Sequence, residues 1–220
     1  MNKTGHNGWI RKGCCIIFCL AFVFVLGASY VSYAADPPEG SYKKTCKDIF
    51  YNSNTNRITS AFCKKMNGKL NTTYLDNVSD CVNQGGDISN CDGTLQCTGV
   101  NLPAGSYNKT CWCCRMVGSS MGCYCKPMQG KEKWTTLHNA TDCVNQGGDI
   151  SNCDGTLRCT GVNLPNVGSY QKSCWCCRME GDTLGCYCKP KRGKEKWTTL
   201  GNATSYSTDI WNDNGTLKGR

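Results

Sequence analysis

Residues 79–103 recur at 141–165 with 23 of 25 positions unchanged, the differences being Ser79/Thr141 and Gln96/Arg158. A chain that copies itself in this way folds as an array of small similar units rather than around one large core. Shorter copies extend the pattern. GKEKWTTL stands at 130–137 and 193–200, and Gly-Ser-Tyr-x-Lys-[Thr/Ser]-Cys stands at 40–46, 105–111 and 168–174. Three repeats follow, at 40–97, 105–159 and 168–218. The linkers 98–104 and 160–167 carry Pro103 and Pro165 as extended punctuation.

Units this small bury too little apolar surface to hold themselves without help. The help is cysteine, at 21 of the 220 residues. Cys14, Cys15 and Cys19 lie in an apolar run near the N-terminus; the other 18 follow Asp36 at the density of a disulfide scaffold in an oxidising compartment. Residues 1–34 read as a secretory signal peptide, followed by a short linker at 35–39. Lys3, Arg11 and Lys12 precede the apolar stretch Cys14–Ala28, and Ser32-Tyr33-Ala34 offers small residues for cleavage. The rival reading is an uncleaved anchor, but that stretch is short for a span of about twenty residues. The expectation is a secreted, extracellular chain with no membrane insertion.

Charge and histidine content narrow the function further. The formal charge is +9, of which Lys3, Arg11 and Lys12 supply three, and much of the rest sits in Lys126–Lys133 and Lys189–Lys196. No nucleic-acid motif accompanies these basic segments, so they read as solvated loops and nucleic acid is not expected as a partner. His6 and His138 are the only two histidines. That removes most chemistry needing a proton shuttle near neutral pH, and no nucleophile–base pair stands out. The chain reads as non-enzymatic, without cofactor. Metal binding is the competing account of the cysteines; no histidines stand at ligand spacing beside them, so no metal is expected.

Each repeat reads as β: short runs of Thr, Tyr, Trp, Val and Cys bounded by Gly and Asn, without a sustained helical period. Each also ends in a hairpin signal. Asp92-Gly93 and Asp154-Gly155 sit between short strands and suit a type I′ turn, and Asp209–Lys218 offers Asn214-Gly215 as a variant.

Antiparallel pairing sets Cys111 opposite Cys125, and the same register sets Cys113 opposite Cys123. The third repeat repeats this with Cys174/Cys188 and Cys176/Cys186, while the first keeps only Cys46/Cys63. Eight cysteines remain. In the hairpin, position 91 pairs with 94 and 97 with 88, so Cys91 and Cys97 point to opposite faces. Cys97 shares its face with Ile88 and Leu95, the expected core side. We therefore favour Cys97–Cys114 and Cys81–Cys91, with Cys159–Cys177 and Cys143–Cys153 as their copies, although spacing alone does not fix connectivity. The first repeat has Asp48 and Ile49 in place of Cys113 and Cys114, and the last hairpin has no cysteine. These two leftover halves are expected to pack together.

Gly-Ser-[aromatic]-x-x-Thr-Cys, a second cysteine fourteen residues on, Thr-Thr-x-Leu, then Asp-Ile-x-Asn-x-Asp-Gly-x-Leu resembles the cyanovirin-N homology family. The resemblance covers 40–218 in three copies. It implies an all-β, disulfide-rich lectin fold in which each repeat supplies a three-stranded sheet and a hairpin, with hairpins exchanged between repeats. Family domains have two repeats and this chain has three, so two arrangements stay open. Either 76–137 and 138–200 are contiguous units and a third closes from 41–75 and 205–218, or a third repeat is left to swap between chains as a domain-swapped oligomer.

The resemblance also implies metal-free binding of mannose-rich glycans in clefts between a hairpin turn and the neighbouring sheet. Carried over by position, the first cleft uses Asn90, Asp92, Gly93, Lys109, Thr110 and Lys126. The second uses Asn152, Asp154, Gly155, Lys172, Ser173 and Lys189. A third, split cleft uses Asn212, Asn214, Gly215, Lys44, Thr45 and Lys64. Against this stands the frequent occurrence of Asp-Gly and Asn-Gly in turns that bind nothing. Trp134 and Trp197 read as packing residues beside strands rather than as sugar platforms. Sequons at Asn71, Asn77, Asn108, Asn139, Asn202 and Asn214 predict a glycoprotein in a eukaryotic host, and a glycan at Asn108 or Asn214 would occlude a cleft. The chain thus reads as a secreted lectin for high-mannose glycans or glycoproteins with two or three sites. The alternative is a cysteine-rich structural or defence protein without sugar binding.

Overall fold

The computed structural model describes residues 35–220; the signal-peptide reading, with Cys14, Cys15 and Cys19, lies outside them. The first repeat runs from a 3-10 turn at Ser41–Lys44 into β1 (Cys46–Asn52), β2 (Arg57–Lys64) and β3 (Leu70–Leu75). A short helix α1 (Val78–Asn83) then leads to the hairpin β4 (Asp87–Cys91) and β5 (Thr94–Thr98). The second repeat copies this order as β6 (Cys111–Val117), β7 (Ser120–Cys125), β8 (Lys133–Leu137), α2 (Ala140–Asn145), β9 (Asp149–Asn152) and β10 (Leu157–Thr160). The third comprises β11 (Cys174–Glu180), β12 (Thr183–Cys188), β13 (Lys196–Leu200), β14 (Ile210–Asp213) and β15 (Thr216–Gly219). Among the described residues every sheet is antiparallel, and the fold is all-β apart from these single turns of helix.

Local chemistry explains the elements. The hairpin turns take positive φ at both central residues, 51° and 85° at Asp92-Gly93 and 51° and 86° at Asn214-Gly215, as a type I′ turn demands. Strand pairing then sets Cys91 opposite Thr94 and Ile88 opposite Cys97, as the turn position predicts. The helices were not legible in the sequence, because six residues are too few to show a period. Asn77 and Asn139 enter them in the left-handed conformation, and Val78 or Ala140 together with Cys81 or Cys143 turns inward. The third repeat is shorter here and keeps only a 3-10 turn at Ala203–Ser205.

Hairpins are not exchanged. The first core consists of Tyr42, Cys46, Ile58, Ala61, Cys63, Val78, Cys81, Ile88 and Leu95, all from repeat 1. The second and third cores are likewise drawn from single repeats. The expectation of boundary-crossing halves, and of the last hairpin packing on the first sheet, is overturned. The connection after the third strand, a short helix in the first two repeats and a 3-10 turn in the third, folds each hairpin back over its own sheet, and Leu95 N–H donates to Thr73 Oγ1 within the repeat (3.0 Å). Gly40 and Gly105 permit this closure: a Cβ there would lie 2.7 Å from Ile88 O and 2.6 Å from Ile150 O, backbone atoms that cannot yield.

All 18 described cysteines are paired, but only three of the nine expected pairs form: Cys46–Cys63, Cys111–Cys125 and Cys174–Cys188. Cys113–Cys123 and Cys176–Cys186 are replaced by Cys114–Cys123 and Cys177–Cys186. The cause is a β-bulge. Trp112 still faces Tyr124, but Arg115 faces Gly122, so two residues oppose Cys123. Cys113, at φ 52°, turns out of the ladder and Cys114 takes its place. In repeat 1 the same bulge survives with Asp48 at φ 49°, and Ile49 opposite Ala61 substitutes an apolar contact for the disulfide.

Cys97–Cys114, Cys81–Cys91, Cys159–Cys177 and Cys143–Cys153 are also corrected. The helix brings Cys81 onto the core face beside Cys97, and Cys143 beside Cys159, giving bonds inside each repeat. Cys91 and Cys153, on the opposite face, reach the out-turned Cys113 and Cys176 of the next repeat. Two bonds therefore cross the repeat boundaries.

A buried tyrosine plugs each repeat. The hydroxyls of Tyr42, Tyr107 and Tyr170 donate to Pro38 O, Pro103 O and Pro165 O at 2.8, 2.7 and 3.0 Å. Burial pushes all three phenols up, Tyr42 to about 12 with the charge of Glu39 adding to the effect. Unfolded phenols ionise near about 10, so the tyrosines' contribution is intact below that pH and is lost as pH rises toward the folded values. The denaturation midpoint should fall between pH 9 and pH 11.5, and a Tyr42→Phe, Tyr107→Phe, Tyr170→Phe triple variant should flatten the fall. An unchanged midpoint in the parent protein would refute this.

Candidate functional site

The hairpin turns hold themselves together. The side-chain amide of Asn90 donates to Thr45 Oγ1 (2.9 Å) and Lys64 O (2.8 Å), and its Oδ1 accepts from Gly93 N–H (2.7 Å). Asn152 makes the same three bonds with Thr110, Lys126 and Gly155, and Asn212 with Ser173, Lys189 and Gly215. Asp92, Asp154 and Asn214 each accept from a backbone N–H, of Met66, Met128 and Lys191.

The position-by-position residues are therefore brought together, but in a different grouping. Asn90, Asp92 and Gly93 share a site with Thr45 and Lys64 rather than with Thr110 and Lys126. Asn152, Asp154 and Gly155 meet Thr110 and Lys126, and Asn212, Asn214 and Gly215 meet Ser173 and Lys189. The reason is the closure of each hairpin on its own repeat. It yields three like turn sites instead of two whole ones and one split. Lys44, Lys109 and Lys172 end the 3-10 turns that precede them.

Two like clefts lie between the repeats, beside a space of about 600 Å³ along β3 and β5 of the first repeat that Arg115 borders. One cleft of about 480 Å³ is walled on one side by Ser41, Lys44, Thr45, Asp87, Ser89 and Asn90, and on the other by Tyr107, Asn108 and Trp112. A second, of about 340 Å³, repeats it with Ser106, Thr110, Asp149, Ser151 and Asn152 against Gln171 and Trp175. The disulfides Cys91–Cys113 and Cys153–Cys176 clamp these junctions. Gly99 N–H donates to Cys114 O and Gly161 N–H to Cys177 O, both at 3.0 Å.

A hydroxyl–carboxylate network lines the floor of each cleft. Ser41 N–H donates to Asp87 Oδ1 (2.8 Å), and the Ser41 and Ser89 hydroxyls donate to Asp87 Oδ2. Ser89 also pairs with Thr98 Oγ1 at 2.7 Å. Burial opposes ionisation of Asp87, but the bonds from Ser41 and Ser89 and the charge of Lys44 outweigh it and hold the carboxyl below its ordinary range. Ser106, Asp149, Ser151 and Thr160 repeat the arrangement. Position-by-position transfer missed these residues. The signal for them was present in the repeated Gly-Ser-Tyr and Asp-Ile-Ser motifs.

The opposite wall is aromatic. Trp112 stacks on Tyr124 with ring centroids 5.1 Å apart, and Tyr124 meets Trp134 edge-on at 5.2 Å. Trp134 lies across Gly122, where a Cβ would enter its ring, and Arg115 sits 4.8 Å over its face. Trp134 thus packs on Gly122 and Arg115 while 37 % of its surface stays exposed, and the copy Trp175–Tyr187–Trp197 with Arg178 repeats these contacts. Trp112 keeps 37 % of its surface exposed at the cleft. Among the described residues no group of three or more His, Cys, Asp or Glu side chains is placed to hold a metal ion.

Fold and clefts together define a three-repeat, disulfide-stapled all-β protein with paired grooves between its repeats. No family model matches the chain, and no curated protein matches it. Solved structures do. A designed cyanovirin-N homolog lectin matches at 19 % identity over 55 % of this chain and 99 % of its own, with a TM-score of 0.17. The cyanovirin-N homolog of Gibberella zeae matches at 20 % identity over 53 % and 98 %, with a TM-score of 0.15. A variant of the homolog MoCVNH3, solved in complex with (N-GlcNAc)4, matches at 16 % identity over 84 % and 99 %, with a TM-score of 0.16. These are cyanovirin-N homologs, as the repeat motifs of this chain suggest.

Proposed function

We propose that the protein is a secreted, non-enzymatic lectin that binds mannose-rich glycans in the two junction clefts without metal. One observation carries the reading. Each cleft opposes a hydrogen-bonding floor of hydroxyls and a carboxylate to a tryptophan, exposed at Trp112 and half-buried at Trp175. A sugar needs both, because its hydroxyls must recover the hydrogen bonds lost on desolvation while its C–H face seeks an apolar platform. Lys44, Thr45 and Asn90 join the first floor and Thr110 and Asn152 the second, which retains part of the site implied by the motifs. Two sites on one clamped chain gain avidity on clustered glycans. Asn108 lies in the first cleft within a sequon, so glycosylation there would fill it.

The test is a glycan array probed with the oxidised chain, beside Trp112→Ala, Trp175→Ala and the double variant. Each single change should weaken binding to dense high-mannose glycans by about tenfold or more, the scale of an interface anchor, and the double should abolish it. Absence of binding by the parent chain would favour a structural or defence role. Binding that survives the double variant would place the sugar elsewhere.

A further inference from the structure

The two internal junctions are one contact made twice: the hairpin of one repeat meets the first strand of the next repeat's sheet. At the ends of the array each half of this contact is left open. Among the described residues the hairpin β14–β15 meets no following sheet, and the sheet β1–β2–β3 meets no preceding hairpin.

The free sheet keeps the docking geometry. Asp48 stands where Cys113 and Cys176 stand and shares their left-handed conformation, φ 49° against 52° and 51°. The same repeat exposes six large apolar side chains, Phe50 (58 %), Phe62 (36 %), Met66, Leu70 (49 %), Tyr74 (59 %) and Val82, against four in the second repeat and none in the third. Phe62 pairs with Lys47 and Thr72, at the positions that Tyr124, Trp112 and Trp134 hold in the sheet of repeat 2. Apolar groupings of this kind mark interaction surfaces.

The free hairpin is its complement. At the internal junctions the small Ser89 and Ser151 face Trp112 and Trp175 across the clefts. At the ends the sizes are exchanged: Trp211 holds the serine position and Lys47 the tryptophan position. Brought together, they again set one aromatic against one slender side chain, now as an ammonium facing an indole. The disulfide positions become Asp213 and Asp48, both exposed, so contact here is non-covalent.

We propose that the protein assembles head to tail, the third hairpin of one copy docking on the first sheet of the next while every hairpin stays in its own repeat. The contact is heterologous and extends until it closes on itself or a chain end is capped. Like charge at Asp48 and Asp213 weakens it and keeps it reversible. The proposal is independent of sugar binding.

Sedimentation velocity on the full oxidised chain, from micromolar to submillimolar concentration, should show the average mass at least doubling. Phe62→Asp and Trp211→Ala should each hold the chain at monomer mass while retaining all nine disulfides by intact mass. Asp48→Cys combined with Asp213→Cys should give a ladder of chain multiples on a non-reducing gel, whereas either cysteine alone stops at dimers. A mass independent of concentration, association indifferent to Phe62→Asp and Trp211→Ala, or a doubly substituted chain that stays monomeric would each overturn the proposal.

Discussion

Reducing all nine disulfides is expected to abolish the native state without any denaturant. Four of the nine buried residues that form the second core are half-cystines: Cys114, Cys123, Cys125 and Cys143. The third core is alike, with Cys174, Cys177, Cys186 and Cys188. What remains in each is a few aliphatic side chains and one tyrosine, too little to offset the entropy of ordering some fifty residues. Removal of even one native bond from a small secreted domain costs about 2–5 kcal/mol, within reach of a small domain's whole stability. Circular dichroism and tryptophan fluorescence in a strong thiol should show loss of the β signal and of the packed Trp–Tyr environment. Retention of both would mean that the aliphatic residues suffice.

Removing only Cys91–Cys113, by Cys91→Ser with Cys113→Ser, should have a different and equally large consequence. The bond closes a separation of 22 residues, and the chain-entropy relation puts its worth at about 3 kcal/mol. No core contains both repeats, so the loss falls on their mutual placement rather than on either interior. Unfolding of the variant should split into more than one transition, and limited proteolysis should cut within 98–104 before either repeat is digested. A single transition at the parent's midpoint would show that the remaining contacts, such as Gly99 N–H to Cys114 O, are enough to lock the junction.

Much of this architecture was legible in the sequence because it depends on local signals. Positive φ at Asp92-Gly93 and strand pairing through Cys111/Cys125 follow from residue type and spacing alone. Connectivity failed where a single residue decides it. Cys113 carries no mark that it will leave the ladder, yet its rotation alone shifts the Arg115 register and releases a thiol toward Cys91. The helix at Val78–Asn83 was similarly silent, and it carries Cys81 onto the core face, where it bonds Cys97 within the same repeat. The candidate site inherited that error. Its residues were well chosen, but Thr45 belongs with Asn90 because the hairpin folds back, a tertiary fact that spacing does not contain. The clefts, being made between repeats, required knowledge of how neighbours meet.

The out-turned cysteine also governs how such a chain can change length. Each repeat is complete in itself and touches its neighbour through one hairpin and one bulged strand. A unit can therefore be inserted or deleted without disturbing any other interior. Grooves, however, are counted by contacts between units: a chain of two repeats has one, this chain has two, and each added copy contributes one more. The number of junction clefts in this architecture is the number of repeats less one, set by duplication of a segment rather than by redesign of a pocket.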